Sequence, residues 1–394
     1  MSKKQAINKS VGYVVVFFIF LFSFLSIGII KSIPVGSMSL GWSKNLTKFI
    51  NCQAVSYSGE LVGIGTDDGF CFVFDKTGKQ VFEKKYDYPV LEIKFSFNDA
   101  FLFVKSNHSR TISLINLSQK KVVWEKFKTN FVIDQFWVFR DGKSSILFTS
   151  EKDKNHQYVY LNQNGATIKE FSLPEIFYRF QCSPSSDGKF VLISLAEGDI
   201  YLIQNDGILN WNIHLEPAVR EGAIDNPILQ IVSKEGVAYL AYQAEEFGKS
   251  LFICQAIDSK QNIIWKKEFS STITDLQLAP DEKKIMMSIS DKVIVFETNG
   301  RLLFSKDQYG YNPVKASLGS TNILIGFIQT DQRPQNEKSR LILKLFSLNR
   351  SRVLWQKRTT KSFLKLAVSQ NGFVLLEISQ GNVLKYFRYV ADSV

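Results

Sequence analysis

One short phrase recurs along the whole chain and constrains its fold more than any other feature. Two apolar or branched residues lead into an aromatic or apolar residue, and a polar, mostly basic stretch follows, as in "VVWEKFK" and "IIWKKEF". The phrase occurs eight times at intervals of 39 to 54 residues, centred on Trp42, Phe82, Trp124, Ile168, Trp211, Trp265, Phe304 and Trp355. A repeat of this length indicates one supersecondary unit that is stacked many times.

Each copy after the first follows a turn sequence, and short apolar runs precede the turns. Turns such as "IQNDGI" at 203–208 and "FETNGR" at 296–301 place Asn or Asp next to Gly, which tolerates the positive φ of a tight hairpin. Upstream lie short runs such as "SPSSDGKFVLIS" at 183–194. Four short strands in about 40–45 residues are typical of a β-propeller blade, so the fold class is all-β.

The first and last copies of the pattern predict how the ring closes. The C-terminal unit has three readable strands, at 363–368, 373–379 and 382–389, and no fourth. An outer-strand phrase at 40–47 stands before any complete unit. We therefore predict that 40–47 completes the last blade, which removes an exposed sheet edge and gives an eight-bladed propeller over 40–394. Seven blades is the alternative, if the weak copy at Ile168 or at Phe304 is misread.

The aromatic residues of the phrase are interpreted as architectural. On the outermost strand of a blade, Trp42, Trp124, Trp211, Trp265 and Trp355 would pack between neighbouring blades and would not form a ligand cage. A turn followed by a Trp on the outer strand resembles the PQQ-repeat, or quinoprotein-dehydrogenase-like, propellers. The strand openings "SSDGK" and "APDEK" also resemble WD-repeat blades, although the Trp-Asp and Gly-His motifs are absent. The resemblance implies an architecture, because propellers host many functions.

The N-terminus predicts a membrane anchor. Residues 11–30, "VGYVVVFFIFLFSFLSIGII", contain no charge, and as a helix they would span about 30 Å, the thickness of a bilayer core. Lys3, Lys4 and Lys9 precede this run, so 1–10 is predicted to be a cytoplasmic tail and the propeller to be extracytoplasmic. Residues 31–39 would form a spacer. A cleaved signal peptide is one alternative, and the opposite orientation is another, because Lys31 also flanks the run.

No sequence motif indicates catalysis. The quinoprotein enzymes that the chain resembles carry an adjacent Cys pair and calcium ligands, and this chain has no Cys-Cys pair and no ligand set that can be placed. The Asp67-Asp68-Gly69 and Asp187-Gly188 stretches are typical of hairpin turns. We therefore predict no catalytic residue, no metal, no cofactor and no enzyme activity. Four separate cysteines favour buried thiols, and a Cys52–Cys71 disulfide is the alternative.

The charge points to anionic surroundings. With 48 Lys and Arg against 37 Asp and Glu, the formal net charge is +11, spread along the chain, which does not favour nucleic-acid binding. The densest basic run, at 349–361, gives one candidate site for contact with anionic lipid or cell-wall polymer: Arg350, Arg352, Lys357 and Arg358. The alternative is a solvated edge whose charges block strand-to-strand aggregation.

Two functional interpretations follow. The first is a single-pass protein of the cell membrane whose propeller acts as a protein-interaction scaffold in a cell-envelope assembly. The second is an envelope ligand sensor or a degenerate quinoprotein-type enzyme that uses the central funnel. Acidic and aromatic residues clustered at equivalent inner-strand positions would favour the second, and the sequence shows no such cluster.

Overall fold

The computed structural model describes most of the chain after residue 36. The described residues are 37–127, 131–139, 145–151, 154–172, 180–195, 198–205, 207–216, 228–246, 249–307, 311–329, 341–359, 365–369, 374–379 and 382–390. The predicted membrane helix at 11–30 and most of the spacer lie outside them. Within the described ranges, no helix is long and apolar enough to cross a bilayer.

The described residues form eight four-stranded antiparallel sheets, numbered here in chain order. Sheets 1 to 4 consist of β2 (Ile50–Val55), β3 (Leu61–Thr66), β4 (Phe70–Asp75), β5 (Gln80–Lys85); β6 (Val90–Phe95), β7 (Phe101–Ser106), β8 (Thr111–Asn116), β9 (Lys121–Phe127); β10 (Phe131–Val138), β11 (Ser145–Glu151), β12 (Lys154–Leu161), β13 (Thr167–Ser172); β14 (Phe180–Pro184), β15 (Phe190–Leu195), β16 (Asp199–Gln204), β17 (Leu209–His214).

Sheets 5 to 8 repeat the arrangement. They consist of β18 (Leu229–Val232), β19 (Ala238–Glu246), β20 (Lys249–Ile257), β21 (Ile263–Phe269); β22 (Ile273–Leu278), β23 (Lys284–Ile289), β24 (Lys292–Glu297), β25 (Leu302–Asp307); β26 (Tyr311–Leu318), β27 (Asn322–Gln329), β28 (Leu341–Ser347), β29 (Val353–Thr359); β30 (Lys365–Val368), β31 (Val374–Ser379), β32 (Val383–Val390) and β1 (Ser37–Asn45).

Sheet 8 takes strands from both ends of the chain, as the orphan phrase predicts. Strand β1 pairs antiparallel with β32, with Leu40 opposite Phe387 and Asn45 opposite Val383. The Trp42 ring stacks on Tyr386, with centroids 5.3 Å apart and an angle of 2° between the ring planes. The predicted closure by residues 40–47 is therefore confirmed, with β1 beginning and ending a few residues earlier.

Eight hydrophobic clusters link the described sheets into a ring. Each cluster contains side chains from two consecutive sheets, such as Phe103 and Phe136 from sheets 2 and 3. The last junction joins Tyr386 of sheet 8 to Ile64 and Phe74 of sheet 1. Since each buried aliphatic or aromatic side chain contributes roughly 1.5–3 kcal/mol, the sheets are held chiefly by these shared clusters. The fold is an all-β propeller whose ring the terminal strands close.

The two faces of the ring carry different connections. The upper face is defined here as the one with the turns that join the first to the second strand and the third to the fourth strand of each sheet. The lower face carries the other connections. In sheet 1, Lys76 and Glu60 lie in the two kinds of upper turn and form a 2.6 Å ion pair, so both turns lie on one side. Strand β1 begins at the upper face.

The recurrent Trp packs onto the third-to-fourth turn of the next sheet. Trp124 Nε1 donates a hydrogen bond to Gln163 O at 3.1 Å, and a Cβ on Gly165 would lie 2.6 Å from the Trp124 ring. Trp211 and Trp265 donate in the same way to turn carbonyls of the following sheet, at 3.1 and 2.9 Å. These contacts confirm the architectural interpretation of the phrase, and they explain why the turn before each copy is part of the repeat.

At the weak copy around Ile168, the contact between an outer-strand Trp and the next turn is missing. The turn that follows it in sheet 4 contains Gly207 at φ +85°, and a Cβ there would meet only the end of Lys169, 3.9 Å away. Ile168 itself is 63% exposed. The strand register explains this: Lys169 pairs with Tyr160 as Trp211 pairs with Leu202, so Lys169 and not Ile168 occupies the Trp position. The predicted centre of this copy is therefore one residue early, and the junction lacks the Trp contact while its sheet still forms.

Candidate functional site

A cavity of about 560 Å³ opens on the axis of the ring at the upper face. Its wall is formed by the ends of the first strands of sheets 1 to 6 and by the turns that follow those strands. The lining is mainly apolar and aromatic, and it includes Val55, Tyr57, Lys94, Phe95, Ser96, Phe97, Trp137, Val138, Pro184, Ser186, Ile231, Val232, Leu278, Ala279, Pro280 and Glu282. This axial cavity is the strongest candidate for a binding site among the described residues.

One side of the axial cavity is aromatic. The rings of Tyr57 and Phe97 lie 3.7 Å apart between centroids, and Trp137 continues this wall in sheet 3. The Tyr57 turn is fixed by Asp99, whose carboxylate accepts hydrogen bonds from Tyr57 N at 2.8 Å and Ser58 N at 3.1 Å. The tie between sheets 1 and 2 therefore holds an aromatic surface at the mouth of the axial cavity.

Lys94 is the cationic residue of the wall, and its partners are internal. Its Nζ lies 2.8 Å from Glu92 Oε1, donates to Phe136 O at 2.7 Å and sits 4.3 Å from the Phe136 ring centroid. Lys105 Nζ lies 2.9 Å from the other oxygen of Glu92. Burial lowers the pKa of Lys94, against the opposing effect of Glu92. Burial alone would raise the pKa of Glu92, but the two lysines bring it below its ordinary value.

Glu282 is the acidic residue of the wall and connects three sheets. It lies in the upper turn of sheet 6, accepts a hydrogen bond from the Ser186 hydroxyl of sheet 4, and accepts another from Lys234 N of sheet 5 at 3.0 Å. Both carboxylate oxygens are therefore engaged by neighbouring turns. Glu282 therefore holds the upper turns of sheets 4, 5 and 6 together at this side of the cavity mouth.

Polar side chains of the first strands tie neighbouring strands together below the mouth. Gln277 Nε2 donates to Ala316 O of sheet 7 at 3.1 Å, and its Oε1 accepts from Leu318 N at 3.2 Å. Gln230 Nε2 donates to Gln181 O of sheet 4 at 2.7 Å. The sequence reasoning missed these residues. The available signal was a Gln or Lys near the end of several first strands, as in "INCQAV", "VLEIKF" and "ITDLQL".

The aromatic and acidic cluster that the sequence did not reveal is present in three dimensions. Tyr57, Phe97, Trp137 and Glu282 share the axial cavity. Tyr57 and Phe97 occupy the same turn position in sheets 1 and 2, whereas Trp137 lies on a strand and Glu282 lies further along its turn. Turn residues contribute as much as strand residues, so a search restricted to equivalent strand positions does not find them.

The residues considered for metal or acid–base chemistry have structural roles. Asp68 accepts a hydrogen bond from Thr66 Oγ1 at 2.7 Å, and Gly69 and Gly188 have φ of +93° and +73°, which confirms both hairpin turns. Among the described residues, no three His, Cys, Asp or Glu side chains are arranged to hold a metal ion. His214 Nδ1 lies 2.8 Å from Asp199 Oδ1 within sheet 4.

The four cysteines are thiols and not disulfides in the structure. Cys71, Cys182 and Cys254 are buried, and Cys52 is partly buried. Cys52 and Cys71 both lie opposite Gly65 on the strand between them, so two strand spacings, about 10 Å, separate their Cα atoms. That exceeds the span of a disulfide, and the alternative Cys52–Cys71 bridge is wrong.

The structure divides the predicted anionic-contact residues between two places. Arg350 and Arg352 lie in the upper turn before β29, and Lys357 and Arg358 lie on β29. Arg350 and Arg358 are exposed, whereas Lys357 Nζ sits 4.2 Å from the Phe387 ring centroid. Arg352 Nε is buried without a hydrogen-bond partner among the described residues. The four side chains do not form one surface, and contact with an anion stays a prediction.

Comparison with known proteins identifies the fold. No protein-family model and no curated protein sequence matches the chain. Among solved structures, BamB from Moraxella catarrhalis matches with a TM-score of 0.56 and 15% identity over 89% of this chain and 100% of that one. The C-terminal WD40 domain of Sif2 matches with a TM-score of 0.60 and 11% identity over 89% and 99%.

A third match is the β-propeller domain of Cps50 (Swd1) from Myceliophteria thermophila, with a TM-score of 0.53 and 8% identity over 89% and 99%. At these identities the likeness shows the fold alone. The chain is thus a β-propeller similar to both the BamB and the WD40 propellers, in agreement with the resemblance to PQQ-repeat and WD-repeat blades.

Proposed function

We propose that this chain is a membrane-anchored protein whose eight-bladed propeller lies outside the cytoplasm and acts as a non-enzymatic protein-interaction scaffold in a cell-envelope assembly. Residues 1–10 are the cytoplasmic tail, 11–30 the single transmembrane helix and 31–39 the spacer. The charge-free run and the lysines before it support this topology. The likeness to the BamB and WD40 propellers supports the propeller fold on which this proposal is built.

The observation that carries the scaffold proposal is the chemistry of the axial cavity. Its wall offers Tyr57, Phe97 and Trp137 to a ligand, while its charged groups, Lys94 and Glu282, already bond within the protein. An aromatic, apolar concavity with engaged polar groups fits an apolar segment of a partner protein, because aromatic side chains carry much of the energy of protein interfaces. Among its described lining residues, Lys94 and Glu282 are both already engaged and leave no unengaged acid–base pair for proton transfer.

A ligand sensor or a degenerate quinoprotein-type enzyme is the second candidate. Two observations favour it: the cavity volume of about 560 Å³ falls within the roughly 300–1,000 Å³ that small-molecule pockets occupy, and aromatic and acidic residues share the axial cavity. Binding of a small molecule that competes with every protein partner would support this alternative.

A pull-down of the full chain from detergent-solubilised membranes tests the scaffold proposal. Trp137→Glu places a charge in the axial cavity, and Tyr88→Glu places one on an exposed residue of the lower face as the matched control. We expect wild type and Tyr88→Glu to retain the same proteins and Trp137→Glu to lose at least one of them. Identical retention by all three, with unchanged folding, would show that the axial cavity does not hold a partner.

A further inference from the structure

The most exposed large apolar side chains of the described residues gather at one edge of the ring. Of twelve such side chains, eight lie at or near the start of an outermost strand, beside the upper face: Leu40, Val123, Ile168, Ile208, Leu209, Ile263, Ile264 and Leu302. They come from six of the eight described sheets. We call these eight residues the apolar belt. The other four lie towards the lower face: Phe49, Tyr88, Leu91 and Val132.

Cationic side chains lie at the same level as the apolar belt. Lys79, Lys120, Lys260 and Arg350 are exposed residues of the third-to-fourth turns. The acids of these turns are hydrogen-bonded within their own turn: Asp258 Oδ1, for example, accepts hydrogen bonds from Lys260 N and Asn262 N, both at 2.8 Å. The upper edge thus presents aliphatic and basic side chains together, the combination that favours the interface of an anionic bilayer.

The path of the chain brings this edge to the proposed membrane. Strand β1 begins at the upper face with Ser37, and only residues 31–36 separate it from the charge-free run. Six residues reach at most about 21 Å. A six-residue strand is about 20 Å long, so a bilayer at the lower face would require all six residues of 31–36, fully extended, to pass along the sheet.

We propose that the upper face of the propeller rests on an anionic lipid surface, with the apolar belt in the interfacial region and the turn cations against the headgroups. This inference rests on the proposed membrane anchor and adds which face meets the bilayer. The axial cavity then opens towards the membrane, so the partner segment that it holds comes from a membrane-embedded protein.

Residues on the side of the ring opposite sheet 8 distinguish two arrangements. In one the whole upper face lies on the bilayer, and in the other only sheet 8 is held near it by the anchor. Leu40 lies in sheet 8 beside the spacer and would be near lipid in any orientation. Leu209 lies in sheet 4, directly opposite sheet 8 in a ring of eight, and is 50% exposed. Only a propeller that lies with its upper face on the bilayer brings Leu209 to the lipid.

The test uses the full chain in nanodiscs of phosphatidylcholine and phosphatidylglycerol that contain acyl-brominated phosphatidylcholine. An environment-sensitive nitrobenzoxadiazole label is placed on Leu209→Cys or, as the matched lower-face control, on Tyr88→Cys, which is 45% exposed in the native protein. Labelling of the native cysteines, which are buried or partly buried, is measured on the protein without an introduced cysteine and subtracted as background. We expect several-fold stronger bromine quenching at position 209 than at 88, and weaker quenching at 209 in discs without phosphatidylglycerol.

Each other outcome contradicts a defined part of the account. Quenching at neither position, or equally at both, in protein that is inserted in the discs overturns the resting face and leaves the anchor intact. Equal quenching at 209 with and without phosphatidylglycerol overturns the role of the turn cations. A label at 209 that is shielded in native membranes but unquenched in discs assigns the apolar belt to a protein partner. Failure of the chain to insert overturns the anchor as well.

Discussion

At the scale of single residues, the contact between an outer-strand Trp and the next turn is the recurring unit of the molecule. Gly165 shows its two requirements: a left-handed backbone, with φ of +74°, and room for the Trp124 ring. Gly207 occupies the corresponding turn without a Trp above it. Substitutions at Gly165 and Gly207 therefore separate two effects on stability: the strain of a side chain at positive φ, which both positions share, and the disturbance of the Trp contact, which only Gly165 has.

Replacing Gly165 by Ala should destabilise the protein more than replacing Gly207 by Ala. Both substitutions place a Cβ on a backbone with positive φ, which costs about 1 kcal/mol. At Gly165 the Cβ also lies 2.6 Å from the Trp124 ring, and such overpacking costs about 1–3 kcal/mol more. Urea unfolding of the full chain in detergent measures both variants. Equal losses would mean that the Trp contact does not hold the junction.

Glu92 gives a residue-scale prediction with a defined pH dependence. Its pKa is lowered in the folded protein, so its contribution to stability is fully present above the ordinary Glu value of about 4.3 and is lost as pH falls through the folded pKa. Glu92→Gln should therefore melt below the wild type at pH 7, and the two melting temperatures should converge as the pH drops below about 4. A difference in melting temperature that stays constant across that pH range would show that the charge of Glu92 does not stabilise the fold through Lys94 and Lys105.

At the scale of elements, strand β1 closes the ring, and its partly buried Trp42 makes its principal side-chain contact. Trp42 stacks on Tyr386 and lies 5.8 Å from the Phe74 ring, while the Tyr386 hydroxyl donates to Gly59 O of sheet 1 at 2.9 Å. The strand thus supports the last sheet and its junction with the first.

Trp42→Ala should cost about 2–3 kcal/mol, somewhat less than the loss of a fully buried aromatic residue, because Trp42 is partly buried. Leu40→Ala is the matched control, because Leu40 lies on the same strand and is 53% exposed, and it should change stability by no more than about 0.5 kcal/mol. The same contrast should appear between proteins that begin at residue 50 and at residue 38, the former lacking β1. If Trp42→Ala and Leu40→Ala behave alike, β1 does not close the ring in solution.

Most of the elements could be predicted from the sequence, because the outer-strand phrase and its turn repeat locally. The closure could be predicted as well, because an outer-strand phrase without its own sheet lies near the N-terminus and a sheet without a fourth strand lies at the C-terminal end of the repeats. The axial cavity could not, because Tyr57, Phe97 and Glu282 lie in turns and meet only when six sheets are arranged around an axis. The partner of His214 and the inward contact of Lys357 also depend on neighbouring strands and not on their own repeat.

At the scale of the whole molecule, the proposed topology can be tested without knowing any partner. Protease added to spheroplasts should digest the propeller, because the charge-free run at 11–30 would leave everything after it outside the cytoplasm. A cytoplasmic protein in the same sample serves as the control for intact cells. If the propeller is fully protected while the cytoplasmic control is also protected, the predicted orientation or the predicted anchor is wrong.

The central claim is that a tethered propeller holds a partner in its axial cavity, and photo-crosslinking in intact cells tests it most directly. Benzoylphenylalanine replaces Phe97 in the axial cavity or Tyr88 on the lower face, both aromatic-for-aromatic exchanges in the full chain. We predict a discrete crosslinked protein from position 97, absent from position 88 and accessible to protease outside the cytoplasm. No crosslink from position 97 in a folded, membrane-bound chain, or the same products from both positions, would contradict the claim.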